Sequence, residues 1–177
     1  MNLVRTMAIL LFAVAALGAM MLTNPGRDRA FQPMVARIAA GDQGQARLFS
    51  ARIDGWHLEP ALSLPSGERT SEGVFLVLDL TAAGTTESTT LAADWIGASG
   101  RRYATTARAE GLPRRLDTAW MQPGLDSELT ATFELPEDEI MGGALLLHLP
   151  RMPALEGALL MAPPQTPPAI RLAPVSR

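Results

Sequence analysis

Two histidines, one serine in a glycine-flanked turn, an acidic corner, a run of arginines and a few aromatics are the residues here with chemistry to offer. His57 and His148 fall in separate strand-like segments, and Glu59 lies two residues beyond the first. Two imidazoles and a carboxylate form a metal set only if strand register brings them together. A surface or core-edge histidine is therefore the reading adopted, and no metal is assigned. Gly97-Ala98-Ser99-Gly100 lacks the spacing of a nucleophile elbow and reads as a hairpin turn. Glu134, Glu137, Asp138 and Glu139 crowd around Pro136. Calcium takes six or more oxygens from a patterned loop, and no Asp-x-Asp-x-Asp-Gly sequence supplies them. That corner reads as a solvated turn that discourages edge pairing.

Arg101, Arg102, Arg108, Arg114 and Arg115 place five guanidinium groups within fifteen residues. Arginine binds carboxylate and phosphate in a two-pronged fork, so such a cluster can hold an acidic partner loop, an anionic polymer or lipid headgroups. Glu110 and Asp117 sit among them, and dispersed surface charge is the plain alternative. Arg101, Arg102, Arg114 and Arg115, with Trp120, are the candidate partner-binding residues. Trp56, Trp95, Tyr103, Trp120 and Phe133 could instead line a groove for a sugar or peptide. The chain has 3 Trp, 1 Tyr and 5 Phe, and a core needs most of them. Trp120, in an irregular stretch before Pro123, is the aromatic expected at the surface. No catalytic residue and no cofactor are assigned, because triads, metal spacings and phosphate loops are missing.

Composition narrows the field further. The 177 residues contain no cysteine, which removes disulfides, thiol nucleophiles, zinc-thiolate sites and lipoprotein acylation. All 18 acidic residues lie at or beyond Asp28, against 14 arginines from Arg27 onward, so this part carries a net charge of minus four. A mildly acidic domain lacks the basic field that nucleic-acid binding requires.

From Thr6 to Thr23 there are 18 residues without a charge. As a helix that run is about 27 Å long, close to a hydrocarbon core of about 30 Å. The competing reading is a cleaved signal cut after Ala19, but Leu17-Gly18-Ala19 is a poor small-x-small site. An uncleaved signal anchor is the reading adopted. Arg5 on one flank and Arg27 and Arg29 on the other nearly balance the charge count. A short N-terminal flank normally stays inside, which puts the remainder on the extracytoplasmic or periplasmic face of the cytoplasmic membrane. The expected organisation is a flank at 1–5, an anchor at 6–23, a stalk at 24–44, a β-domain at 45–173 and a tail at 174–177.

Within that domain the apolar residues alternate with a period of two. Phe49, Ala51 and Ile53 set a half-buried strand whose phase slips at Gly55 before Trp56 and Leu58, as a bulge requires. Val74 to Leu80 is apolar apart from Asp79, the pattern of a central strand covered on both faces. Thr89 to Trp95 and Arg102 to Thr105 flank a Gly97–Gly100 turn. Glu128 to Leu135 is the cleanest alternation, stopped by Pro136. Ala144 to Leu149 is a further strand, and the proline-rich C-terminus allows short pieces at 157–161 and 169–172, expected at an edge. Six or seven short strands without intervening helices imply an all-β, antiparallel sandwich.

The order of Gly73–Leu80, Trp95 with Gly100-Arg101-Arg102-Tyr103, Gln122-Pro123-Gly124, and Phe133-Glu134-Leu135-Pro136 resembles the bacterial telokin-like, immunoglobulin-like family. That resemblance covers about residues 45–173 and implies an immunoglobulin-like extracytoplasmic domain of unknown function, some members accompanying export transporters. The expectation is a membrane-anchored accessory module that binds another membrane or envelope protein and carries out no catalysis. The alternative is an envelope small-molecule or glycan binder with a Trp-lined pocket.

Overall fold

The computed structural model describes residues 3–23, 34–150 and 157–171. Two compact units result, Met1–Gln32 and Pro33–Arg177. The first contains helix α1, Leu3–Thr23, on which large apolar side chains from Met7 to Met21 are exposed. Among the described residues no helix is long and apolar enough to cross a membrane. The unbroken run of described side chains in α1, Ile9–Met21, covers about 20 Å at 1.5 Å per residue. The expected span at 6–23 also draws on Ala8, Leu22 and Thr23, whose side chains lie outside the described residues.

Among the described residues the second unit holds ten strands: β1 Val35–Ile38, β2 Gly44–Gln45, β3 Phe49–Leu64, β4 Gly67–Gly84, β5 Ala92–Ile96, β6 Arg102–Ala104, β7 Ser127–Leu135, β8 Ala144–His148, β9 Ala158–Met161 and β10 Ala169–Ile170. They form two sheets, one in the order β1-β9-β8-β5-β6 and the other β10-β3-β4-β7, with β2 beside β3. The all-β sandwich is as the alternation implies, but the sheets are mixed. β1 runs parallel to β9, and β10 runs parallel to β3, whereas the other strand pairs are antiparallel. The unit also starts earlier than expected, because Val35–Ile38 lies in the stretch read as a stalk and pairs with β9. β9 is consequently an interior strand, not an edge.

Leu76, Leu78, Leu80, Leu129, Ala131 and Phe133 of one sheet meet Trp95, Leu145, Leu147 and Leu159 of the other in the core. The bulge expected at Gly55 is present: pairing shifts between Ile53 and Gly55, so Ile53 and Trp56 both face inward. The continuous apolar run in β4 is also explained. Val74, Leu76 and Leu78 enter the inter-sheet core, and Phe75 and Val77 enter a smaller cluster with Leu62 and Ala109 on the opposite face. Residues 105–116 supply that outer cover and follow β7, with Thr106 N–H donating to Thr132 O and Leu116 N–H to Thr130 O. They thereby close the β7 edge.

The register fixes one pole of the sandwich. Ala92 of β5 lies opposite His148, Leu147 opposite Leu159, and Ala158 beside Val35. At the same end Phe49 pairs with Gly84, and isolated bridges join Gly84 to Pro123 and Thr89 to Met121. The start of β1 and the Trp120–Leu125 loop therefore share a pole.

Candidate functional site

The arginines do not converge. Arg102 stands on β6 opposite Ile96 in one sheet, whereas Arg115 is bridged to Thr130 beside the other. The forks of three of them also have partners. Arg102 Nε and Nη2 donate to Asp94 Oδ2 at 2.9 and 2.6 Å. Arg114 pairs with Glu128, and Arg115 with Asp117. Arg101 is exposed in the β5–β6 turn, where its backbone N–H donates to Ser99 Oγ at 3.3 Å. For Arg102, Arg114 and Arg115 the fork that suits an external carboxylate therefore already meets an internal one.

Two polar clefts cover the outer face of the β3-β4-β7 sheet. The larger, about 850 Å³, is lined by Thr70, Ser71, Gly73, Arg108, Glu134 and Glu137. Glu134 Oε1 accepts from Arg108 Nη1 at 2.6 Å and Ser71 Oγ at 2.7 Å, while Arg108 Nη2 donates to Thr70 O at 2.6 Å. The guanidinium lies 5.7 Å over the Phe75 ring, which ties this ion pair to the apolar cluster beneath. The smaller cleft, about 420 Å³, contains Arg52, Asp54, Asp79, Arg114 and Glu128. Arg52 Nε donates to Asp54 Oδ1 at 2.7 Å, and Thr81 Oγ1 donates to Asp54 Oδ2 at 2.6 Å. No tryptophan stands on either wall.

Three of the aromatics weighed for a groove are in the core, as the count of large residues leads one to expect. Trp56 and Trp95 are 6.2 Å apart, Trp95 and Phe133 6.4 Å, and all three are buried. Trp120 is at the surface as expected, 71% exposed. The acidic corner also needs correction at one position. Glu139 is buried: Oε1 accepts from Ser99 Oγ at 2.6 Å and Oε2 from Ser99 N–H at 3.0 Å. Those hydroxyl and backbone bonds outweigh burial and hold its carboxyl below the ordinary range. Ser99 sits in the expected hairpin turn, with its hydroxyl donated to that carboxylate.

The histidines lie on different sheets. His57, 4% exposed, contacts Glu59 Oε1 through Nε2 at 3.0 Å, and its Nδ1 lies 3.9 Å from Asp79 Oδ2. Among the described residues no group of three His, Cys, Asp or Glu is placed to hold a metal ion. His148 Nδ1 bonds to Leu149 O at 2.9 Å and Nε2 to Asp94 Oδ2 at 3.0 Å. Neither acceptor has a proton to give, so this pair of contacts suits the protonated ring, which can donate from both nitrogens. The Asp94 hydrogen bond, working against burial, raises the His148 pKa. Burial opposes ionisation of Asp94, but His148 and Arg102 together lower its pKa.

His148 stabilises fully below the ordinary imidazole value of about 6.5, and this contribution is lost as pH rises through its raised value. Asp94 stabilises above the ordinary carboxylate value of about 3.9, and its contribution is lost as pH falls through its lowered value. Urea midpoints should therefore peak between about pH 4 and 6.5. In His148→Gln the loss on the alkaline side should disappear; an unchanged alkaline slope would show that His148 is not its source.

The remaining surface feature is β1. Met34 O accepts from Ala158 N–H and Ile38 O from Ala162 N–H, at 3.0 Å each. In a parallel ladder every second residue bonds to the same neighbour. Met34, Ala36 and Ile38 thus serve β9, and the N–H and C=O groups of Val35 and Arg37 point to the other side. Among the described residues β1 pairs with β9 alone, and Val35 to Arg37 are exposed. Sequence reading missed this edge because four residues before the first clear alternation carry almost no pattern.

Two packed sheets with an open edge define the class as a β-sandwich. No family model matches the chain, and no curated protein matches it. Among solved structures it is similar to the yjhA protein from Bacillus subtilis, with 10% identity, a TM-score of 0.51, and coverage of 71% of this chain and 99% of that one. An uncharacterized β-sandwich protein from Clostridium difficile 630 matches with 9% identity and a TM-score of 0.46, covering 73% of this chain and 95% of that one.

Proposed function

We propose that this chain is a membrane-tethered, non-catalytic binding module whose β1 edge accepts an extended segment of another membrane or envelope protein. The observation that carries the reading is the outward row of N–H and C=O groups at Val35 and Arg37, which a partner strand can satisfy by β-augmentation. The strand is short and bears one arginine, features that limit self-pairing while leaving the backbone accessible. The arginine pairs described above argue against an arginine face as the contact. Support for the tether is the charge-free run from Thr6 to Thr23 and the apolar side chains exposed on α1, which need lipid or protein cover. In its finer form the proposal keeps the uncleaved signal anchor, the extracytoplasmic placement and the immunoglobulin-like, telokin-like kinship implied by the motif order.

Proline separates edge binding from folding. At position 35 it removes an outward N–H and leaves the β9 ladder in place. Val35→Pro in the full-length chain should abolish co-purification of a stoichiometric membrane partner while the melting temperature stays within a few degrees. Retention of the partner by a folded Val35→Pro chain would remove the edge from the account.

A further inference from the structure

The strand that offers open backbone groups also offers side chains, and its register says which way they point. Arg37 lies opposite Leu160 and Val35 opposite Ala158, whereas Ala36 lies opposite Leu159 and Ile38 opposite Met161. Leu159 and Met161 belong to the inter-sheet core, so Ala36 and Ile38 share the core-facing side of β1, and Val35 and Arg37 share the outer face. Ile38 is partly buried against that core, and a Cβ on Gly44 would lie 2.8 Å from its Cγ1. Ala36 beside it is exposed and has only a methyl group. The core-facing side of the edge is therefore apolar, with open space over position 36.

Arg37 stands on the outer face without an ion pair among the described residues, in contrast to Arg102, Arg114 and Arg115. The register places Leu160, Leu146 and Asp94 after it in one cross-strand row. At three strand spacings Asp94 is roughly 14 Å away, and it is already held by Arg102 and His148. The guanidinium therefore ends an aliphatic row at the rim of the sheet, with its two-pronged donor unmatched. A second copy of the strand does not match it either. When the outward N–H and C=O groups of two antiparallel β1 strands face each other about Ala36, Arg37 meets Val35.

We infer that the segment accepted at β1 is acidic and amphipathic, with a carboxylate side chain opposite Arg37 and apolar side chains opposite Ala36 and Ile38. The inference deepens the edge reading above and rests on it. Main-chain bonds at Val35 and Arg37 supply the affinity, and the side chains select the partner. Residues opposite each other on one face of an antiparallel pair stand about 4.5–5.5 Å apart at Cβ, within reach of a guanidinium–carboxylate bond. The neighbours of that acid in the segment turn to the other side, where the small Ala36 leaves room for a branched side chain over the rim of the core. An opposite-charge pair at this distance favours an acid over a neutral residue by up to about fivefold, and a like-charge pair disfavours a lysine by a similar factor. Loss of the Arg37 side chain then changes selection, while backbone pairing survives.

The probes are three synthetic peptides, acetyl-Ser-Thr-Ile-X-Ile-Thr-Ser-amide with Glu, Gln or Lys at X, which present the same alternation whichever way they run. Each is titrated into the isotope-labelled full-length chain in zwitterionic micelles at low salt, and the amide signals of Val35 and Arg37 are followed. The Glu peptide should bind about fivefold more tightly than the Gln peptide and more than about tenfold more tightly than the Lys peptide. Arg37→Gln should level the three, and Arg37→Glu should invert the order in favour of Lys. Val35→Pro should lose all three. Equal affinities of the three peptides at the edge overturn the acidic assignment and leave the edge in place. Shifts centred elsewhere, or none, overturn the edge and the assignment together.

Discussion

Replacing Trp95 by alanine should remove about 3–5 kcal/mol of stability, a large part of the roughly 5–15 kcal/mol that holds a domain together. Trp95 is fully buried between Trp56 and Phe133, so its loss leaves a cavity that two rings and two sheets border. Its Nε1–H donates to Glu139 O at 2.9 Å, and that carbonyl is buried with the turn it closes. A Cβ on Gly143 would lie 2.6 Å from the indole ring, which shows how closely the β8 approach is shaped to it. Trp95→Phe keeps the ring contacts and loses the hydrogen bond, so it should cost clearly less, on the order of 1–2 kcal/mol. Urea unfolding of the two variants measures the difference. Equal and small losses would mean that Trp95 does not organise the core.

The second large effect is expected at Gly73. A Cβ there would stand 2.5 Å from Leu135 O and 3.0 Å from Leu135 C, both backbone atoms of β7. A side chain can swing aside, but the neighbouring strand cannot move without breaking the ladder at Val74 and Leu135. Gly73→Ala should therefore destabilise by about 1–3 kcal/mol or more and open the larger cleft by displacing Glu134 and Pro136. Gly55→Ala is the control, since its methyl would meet Asp79 Oδ2 at 3.9 Å and nothing nearer. Thermal unfolding should separate the two clearly. Similar melting temperatures would show that β4 and β7 are looser there than this register allows.

The strands legible in the sequence are those whose burial is one-sided or complete. β7 alternates because one face meets the core, and β4 is apolar because Phe75 and Val77 are covered by 105–116. The extension of the β3–β4 hairpin through Ser63, Glu68 and Arg69 was not legible, since those residues project beyond the apolar cover and show no alternation. The parallel edge pairs were also hidden: β1 meets β9 across more than a hundred residues, and no local pattern encodes such a partner. At the site level, Trp120 was readable from its irregular surroundings. The pairing of Arg102 and Arg114 was not readable, because a run of like residues says nothing of the carboxylates that β5 and β7 bring to them. Asp94, Glu128 and Asp117 each come from a different segment. Glu139 reads as one of several turn acids; only the opposed Gly97, where a Cβ would sit 2.2 Å from the carboxylate, marks the space it needs.

The most direct test of the binding-module account is photo-cross-linking from the β1 edge in native membranes. The full-length chain carries benzoylphenylalanine in place of Arg37, with Arg102 and Arg115 labelled in parallel chains. The account predicts one dominant adduct with a membrane or envelope protein from position 37, and only diffuse labelling from 102 and 115. No adduct at 37, or the same adduct from all three positions, would contradict it.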